Sequence, residues 1–178
     1  MGPALCWSAV AVDWWRVFIY FWRRASTDHR PLNMPTSLYD NDFHQWLDRT
    51  IALVRDGRFD EVDREILIDE LESMGKRDRR ELISHFAILI AHLLKWSCQA
   101  SARSSGWLGS IAEQRLQITD QLEESPSLKG FVSEAVEKAY PKAVTLAERE
   151  TGLARVTFPR SCPFSLRELT DDDFYPRP

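Results

Sequence analysis

Only three cysteines occur in 178 residues, Cys6, Cys98 and Cys162, and none pairs with another at a CxxC or zinc-site spacing. That excludes a disulfide scaffold and a cysteine-based metal site, and it points to inert thiols in a reducing compartment. The seven glycines are scattered, so no glycine-rich loop is present to cradle a phosphate. Basic charge is not in excess: 23 Lys and Arg face 27 Asp and Glu, a net of -4, which leaves no wholesale basic surface for nucleic acid or anionic lipid. Internal repeats and low-complexity tracts are absent, and so are nucleophile motifs and metal-ligand spacings. What is present is the 44% apolar and 28% charged composition of a soluble globular chain.

The first 33 residues differ from the rest. Residues 4–22, "ALCWSAVAVDWWRVFIYFW", hold four of the seven Trp and are apolar on every side. About 20 such residues suffice to span a membrane, but Asp13 and Arg16 near the centre cost roughly 2.5–3.5 kcal/mol each. A secretory signal would need basic residues before the apolar run and small residues after it, and neither is there. The favoured expectation is therefore an N-terminal extension over 1–33, outside the fold, with Met34 as the true start and 34–178 as a single helical domain. No membrane association is expected unless residues 4–22 are genuinely expressed. Taking four Arg and two Asp away from 23 basic and 27 acidic residues leaves 19 and 25, a net of -6. A body that acidic favours a protein partner over nucleic acid.

Beyond Met34 the apolar residues recur at three and four rather than two. Asp40 is the expected cap of a first helix carrying Phe43, Trp46, Leu47, Ile51 and Val54 and ending at Gly57. A second helix is expected from about Asp60 to Met74, stopped by Gly75. A third, about 77–98, contains "ELISHFAILIAHLLKW" and is apolar enough to be central. The fourth covers about Ser104 to Glu123. Ser125 and Pro126 open a fifth that runs to about Glu150, with a kink or split at Pro141. The proline-bearing tail is expected to be irregular except for a turn near Ser165 to Leu169. The fold class is thus all-α, a compact bundle of about five helices around the 77–98 helix.

Several residues invite a functional reading. Glu81, His85, Ile88, His92, Lys95 and Gln99 form one stripe on the third helix. It reads either as an acid–base cleft or, favoured, as the solvent face that a packed helix needs. Trp96 and Trp107 read as core. Arg103, just before the fourth helix, suits an anion near the helix's positive end or, more commonly, an acidic partner. "KRDRR", 76–80, is either a phosphate patch or the neutraliser of the acid-rich second helix, with the second favoured. Asp63 and Glu70 project into the apolar arc of the second helix, formed by Phe59, Val62, Ile66, Leu67, Leu71 and Met74. Arg115 projects into that of the fourth. Unpaired buried charges cost several kcal/mol, so Glu70, with Asp63 as a second candidate, is expected to meet Arg115. A buried structural pair is favoured there over a substrate-binding carboxylate site.

The blocks "LYDNDFHQWL", "GRFDEVDREILIDELESMGKRDRRELISH", "HLLKW", "SPSLKG", "ETGL" and "CPFSLREL", in this order from Leu38 to Phe174, resemble the domain of unknown function 29 family of cyanobacterial and other bacterial proteins. The resemblance implies an all-helical fold and brings no activity, cofactor or catalytic residue with it. The chain departs from the family at Gln99-Ala100, where Gln-Pro is common, and at Gly106, where Ser is. Two functions compete. One is a cytoplasmic, non-catalytic interaction or regulatory module with no cofactor and no metal. The alternative is a hydrolase of phosphate or nucleic-acid substrates, with Asp63, Glu70, His92 and Lys95 as catalytic candidates and Arg103 and Arg115 as binding candidates.

Overall fold

The structure, a computed structural model, describes residues 37–177 and divides the chain into two compact units, Met1–Val62 and Asp63–Pro178. The apolar segment 4–22, the extension 1–33 and the start at Met34 lie outside the described residues. Among the described residues there is no strand, and no helix is long and apolar enough to cross a membrane.

In the first unit a single turn, α1 (Leu38–Asn41), is closed by a capping box between Ser37 and Asp40. Asp42 then caps α2 (Phe43–Arg55), accepting from the Gln45 N–H at 3.0 Å. The expected cap, Asp40, is therefore the closing acid of the preceding box. The two roles are easily exchanged, because Ser-x-x-Asp and Asp-x-x-Gln satisfy the same kind of orphan N–H groups a few residues apart. Trp46, Thr50 and Leu53 are the buried face of α2, whereas Ile51 and Val54, expected beside them, are exposed. Tyr39 stands edge-on to Trp46 at 5.0 Å. Gly57, at a φ of +71°, turns the chain out of α2 as expected.

The second unit is built on α3 (Arg64–Cys98), whose 35 residues span about 52 Å. Asp63 caps it, accepting from the Ile66 N–H at 3.2 Å. The helix passes straight through Gly75, so the second and third expected helices are one. A glycine ends a helix when the chain needs positive φ there, and Gly75 has none. Inside a helix it costs only about 1 kcal/mol relative to Ala, and strong helix formers surround it here.

Beyond the stretch around Gly75, Leu82, Phe86, Leu89, Ile90, Leu93 and Leu94 form the core face of α3. They pack most extensively against α5 (Val132–Thr151) and next against α4 (Ser105–Glu124). Ala135, Ala139, Ala143 and Ala147 are fully buried at four-residue spacing, and this ridge of methyl groups lets α5 lie close to α3. Pro141 sits inside α5 without splitting it, on the exposed side, and the helix is preceded by a 3₁₀ segment over Pro126–Phe131. Gly152 closes α5 at a φ of +70°. The tail packs Phe158 into the core, then forms α6 (Leu166–Thr170) under a Ser165–Glu168 capping box.

The two glycines should respond to alanine with opposite signs. Gly75→Ala, with open space at the added methyl, is expected to raise stability by about 0.4–1 kcal/mol and to preserve helix content. Gly152→Ala is expected to lose about 1 kcal/mol, because alanine resists the left-handed conformation. Thermal unfolding with far-UV dichroism reads both. Destabilisation by Gly75→Ala would mean that the helix breaks there.

Candidate functional site

The catalytic set expected of a hydrolase does not assemble. Asp63 and Glu70 share one rod with His92 and Lys95, and a separation of 22 positions places Glu70 and His92 about 33 Å apart along it. Asp63 is an exposed cap. Glu70 lies 3.8 Å from Arg77, two turns further along its own helix. Because the turn expected at Gly75 is absent, the acids cannot fold back toward the histidine.

Arg115 is buried as expected, at 2% exposure, but its partner is different. Its Nε donates to the Leu169 carbonyl at 3.1 Å and its Nη1 to that of Asp172 at 3.1 Å. Its Nη2 donates to the carbonyls of Glu168 at 3.2 Å and Phe174 at 2.7 Å. The expected pair with Glu70 or Asp63 is thus replaced by a guanidinium clamped on the C-terminal segment around α6. Planar and carrying five N–H donors, it fits a cage of carbonyls that no ammonium could fill. Tyr175 lies against it at 5.5 Å. Burial pulls its pKa below the usual value, and Tyr175 with Asp172, Asp171 and Asp173 oppose that fall.

The α3 stripe is also not the solvent face it was expected to be. His85 is 4% exposed and meets the Gln114 side chain of α4 at 2.8 Å through Nδ1. Lys95 is 3% exposed. Its ammonium pairs with Glu150 at the end of α5, lies 3.4 Å from His92 Nδ1, and sits 4.4 Å from the Trp107 ring centre. His92 is held neutral, its pKa lowered to about 4, first by burial and then by the neighbouring ammonium, with Glu150 opposing. A neutral imidazole with so low a pKa is a poor proton acceptor near pH 7. Among the described residues Arg103 takes no acid: its Nε donates to the Trp96 carbonyl at 3.0 Å, the guanidinium stacks 4.7 Å over the Trp96 ring, and its buried Nη2 has no hydrogen-bond partner. Both Trp96 and Trp107 are half-buried, each under a cation, rather than in the core. Glu150 escaped sequence reasoning because it ends its helix among other acids, with nothing local to single it out.

Among the described residues no three His, Cys, Asp or Glu side chains gather as a metal site requires. A depression of about 240 Å³ between Ala112, Leu116, Thr119 and Asp172 is smaller than the usual ligand pocket, and none of the candidate residues lines it. Cys98 and Cys162 are free, and burial raises the pKa of each thiol, which disfavours the nucleophilic thiolate at both.

What the chain presents outward lies elsewhere. Ile68, Leu71 and Met74 are 50%, 57% and 50% exposed on the first half of α3, with half-buried Leu67 completing the stripe. Of the apolar arc expected to be core, Phe59, Leu71 and Met74 are exposed, Ile66 and Leu67 are half-buried, and only Val62 is buried. The model of the domain of unknown function DUF29 matches residues 38–175. The chain belongs to the DUF29 family. No curated relative and no solved structure matches it. The DUF29 match takes in α1 through α6, so the open stripe is part of the DUF29 domain rather than of a segment appended to it.

Proposed function

We propose that this DUF29 domain is a cytoplasmic, non-catalytic interaction module that binds a protein partner through the first half of α3. The observation that carries the reading is the stripe of Leu67, Ile68, Leu71 and Met74, apolar at helical spacing and open, on a helix whose other half is deeply packed. Exposed apolar side chains gathered on one face favour a protein partner, which can cover them. The charged candidates elsewhere are held within the fold: Lys95 by Glu150, Arg115 by the tail, and Arg103 through its Nε alone by the Trp96 carbonyl. The two unpaired thiols suit a reducing compartment.

A photoreactive phenylalanine in place of Leu71, in the cell that makes the protein, should give a discrete protein adduct. The same residue in place of Glu113, exposed on α4, should give none. Absence of an adduct at Leu71, or identical adducts at both positions, would remove the basis for this reading.

A further inference from the structure

The open half of α3 has a second property besides its stripe. Glu65, Asp69, Glu70 and Glu72 precede Gly75, while Lys76, Arg77, Arg79 and Arg80 come after it. Charge therefore reverses along this part of the helix. Ten consecutive residues, Leu71 to Arg80, are all exposed. A helix resting on a neighbour hides at least one residue per turn, so no other element of the second unit packs across these nearly three turns. At the basic end side-chain tips of the second unit meet them: Gln121 on the Asp78 carbonyl at 2.8 Å, and Arg79 over the Phe131 ring at 5.4 Å. Glu72 with Lys76 at 2.8 Å and Glu70 with Arg77 at 3.8 Å join the acidic and basic parts within the helix. The Glu72–Lys76 pair is on the surface, where such pairs are weak and their members exchange partners at little cost.

We propose that this stretch of α3 pairs antiparallel with the same stretch of a second copy, about a two-fold axis near Leu71 to Met74. The proposal rests on the interaction-module reading and names its partner. In an antiparallel pair about that axis the acidic part of each helix lies beside the basic part of the other, Leu71 and Met74 of one copy close over Met74 and Leu71 of the other, and Leu67 and Ile68 lie against the side-chain stems of the other copy's basic part. A parallel pair would set acid against acid and base against base. A partner helix or lipid surface of one charge would be attracted by one part of α3 and repelled by the other. Self-complementarity of this kind favours the chain's own copy. Four apolar side chains per copy make a small interface, at or below about 1,200 Å² in total, which belongs to weak, reversible complexes.

Sedimentation of the full chain at concentrations from about 1 to 500 µM tests the pairing in the range where weak complexes form. The average mass is expected to rise from that of one chain, 20.7 kDa, toward twice that value, and to fall again in about 1 M salt as the flanking charges are screened. Leu71→Glu, at an exposed position that leaves the bundle intact by dichroism, should abolish the rise. Two charge variants should each stay monomeric, Glu65→Lys with Glu72→Lys, and Lys76→Glu with Arg77→Glu. Mixed together they should associate again. A chain that remains monomeric throughout, or one whose association survives Leu71→Glu, overturns the self-pairing. In either case an adduct from the Leu71 photoprobe with a different protein would leave the module reading standing, whereas no adduct would end both.

Discussion

Arg115→Met is expected to lower the unfolding free energy by about 3–5 kcal/mol, one of the largest losses that any single side chain of the protein can cause. Hydrogen bonds to a charged group contribute roughly 1.5–3 kcal/mol each. Four of them, to Glu168, Leu169, Asp172 and Phe174, would together rival the stability of the whole domain. Two effects reduce the sum: methionine removes the desolvation cost of a buried cation, and water reaches the carbonyls nearer the surface. Arg115→Lys should recover little, since an ammonium cannot address carbonyls spread around a plane. Glu70→Gln should not reproduce that loss, because Glu70 is not among the groups that Arg115 holds and its carboxylate lies 3.8 Å from Arg77 along its own helix. Urea denaturation measures all three, and amide exchange at residues 168–174 localises the effect. A small loss from Arg115→Met, or one that Glu70→Gln reproduces, would show that the tail is not what Arg115 holds.

That contrast also shows where sequence reasoning reached and where it stopped. Burial of Arg115 was legible, because its position inside the apolar arc of α4 results from 100° steps alone. Its partner was not. Backbone carbonyls carry no side-chain signature, and an irregular tail offers nothing periodic to align. The stop at Gly152 and the turn of helix opened by Ser165 were legible for the opposite reason, since each is a short-range pattern that satisfies its own orphan groups. Gly75 looked the same on paper as Gly152. The difference lies downstream of each glycine. Past Gly152 the apolar period ends, whereas past Gly75 it resumes in phase with a long basic and apolar run. Reading Gly75 as a stop turned one rod into a hairpin. A stop there brings Asp63 and Glu70 toward His92 and Lys95 and buries Leu71 and Met74, which are in fact exposed.

Lys95 and Glu150 give the second large effect, and it is asymmetric. Glu150→Gln leaves an ammonium of 3% exposure with only the Trp107 face and a neutral imidazole for company. A broken buried pair costs about 3–5 kcal/mol, and because the Glu150 side chain is 49% exposed and screened by solvent, about 2–3 is expected. Lys95→Met should cost no more than about 1 kcal/mol, since it removes the buried charge and keeps the stem packed on Trp107. His92 reports on both changes. Its folded pKa of about 4 lies below its ordinary value, so the stability it lends is fully present above about pH 6.5 and is lost as pH falls through about 4. That loss is about 1–2 kcal/mol once screening of a part-exposed ring is allowed for. Lys95→Met removes the repelling ammonium, so the His92 pKa should rise, though burial still holds it below the usual value. Glu150→Gln removes the opposing carboxylate, so the His92 pKa should fall further. Proton NMR titration of the imidazole tracks both shifts, and urea denaturation between about pH 4 and 7 tracks the energy. Shifts in the same direction, or a stability that does not change across that window, would dissolve the cluster as a coupled unit.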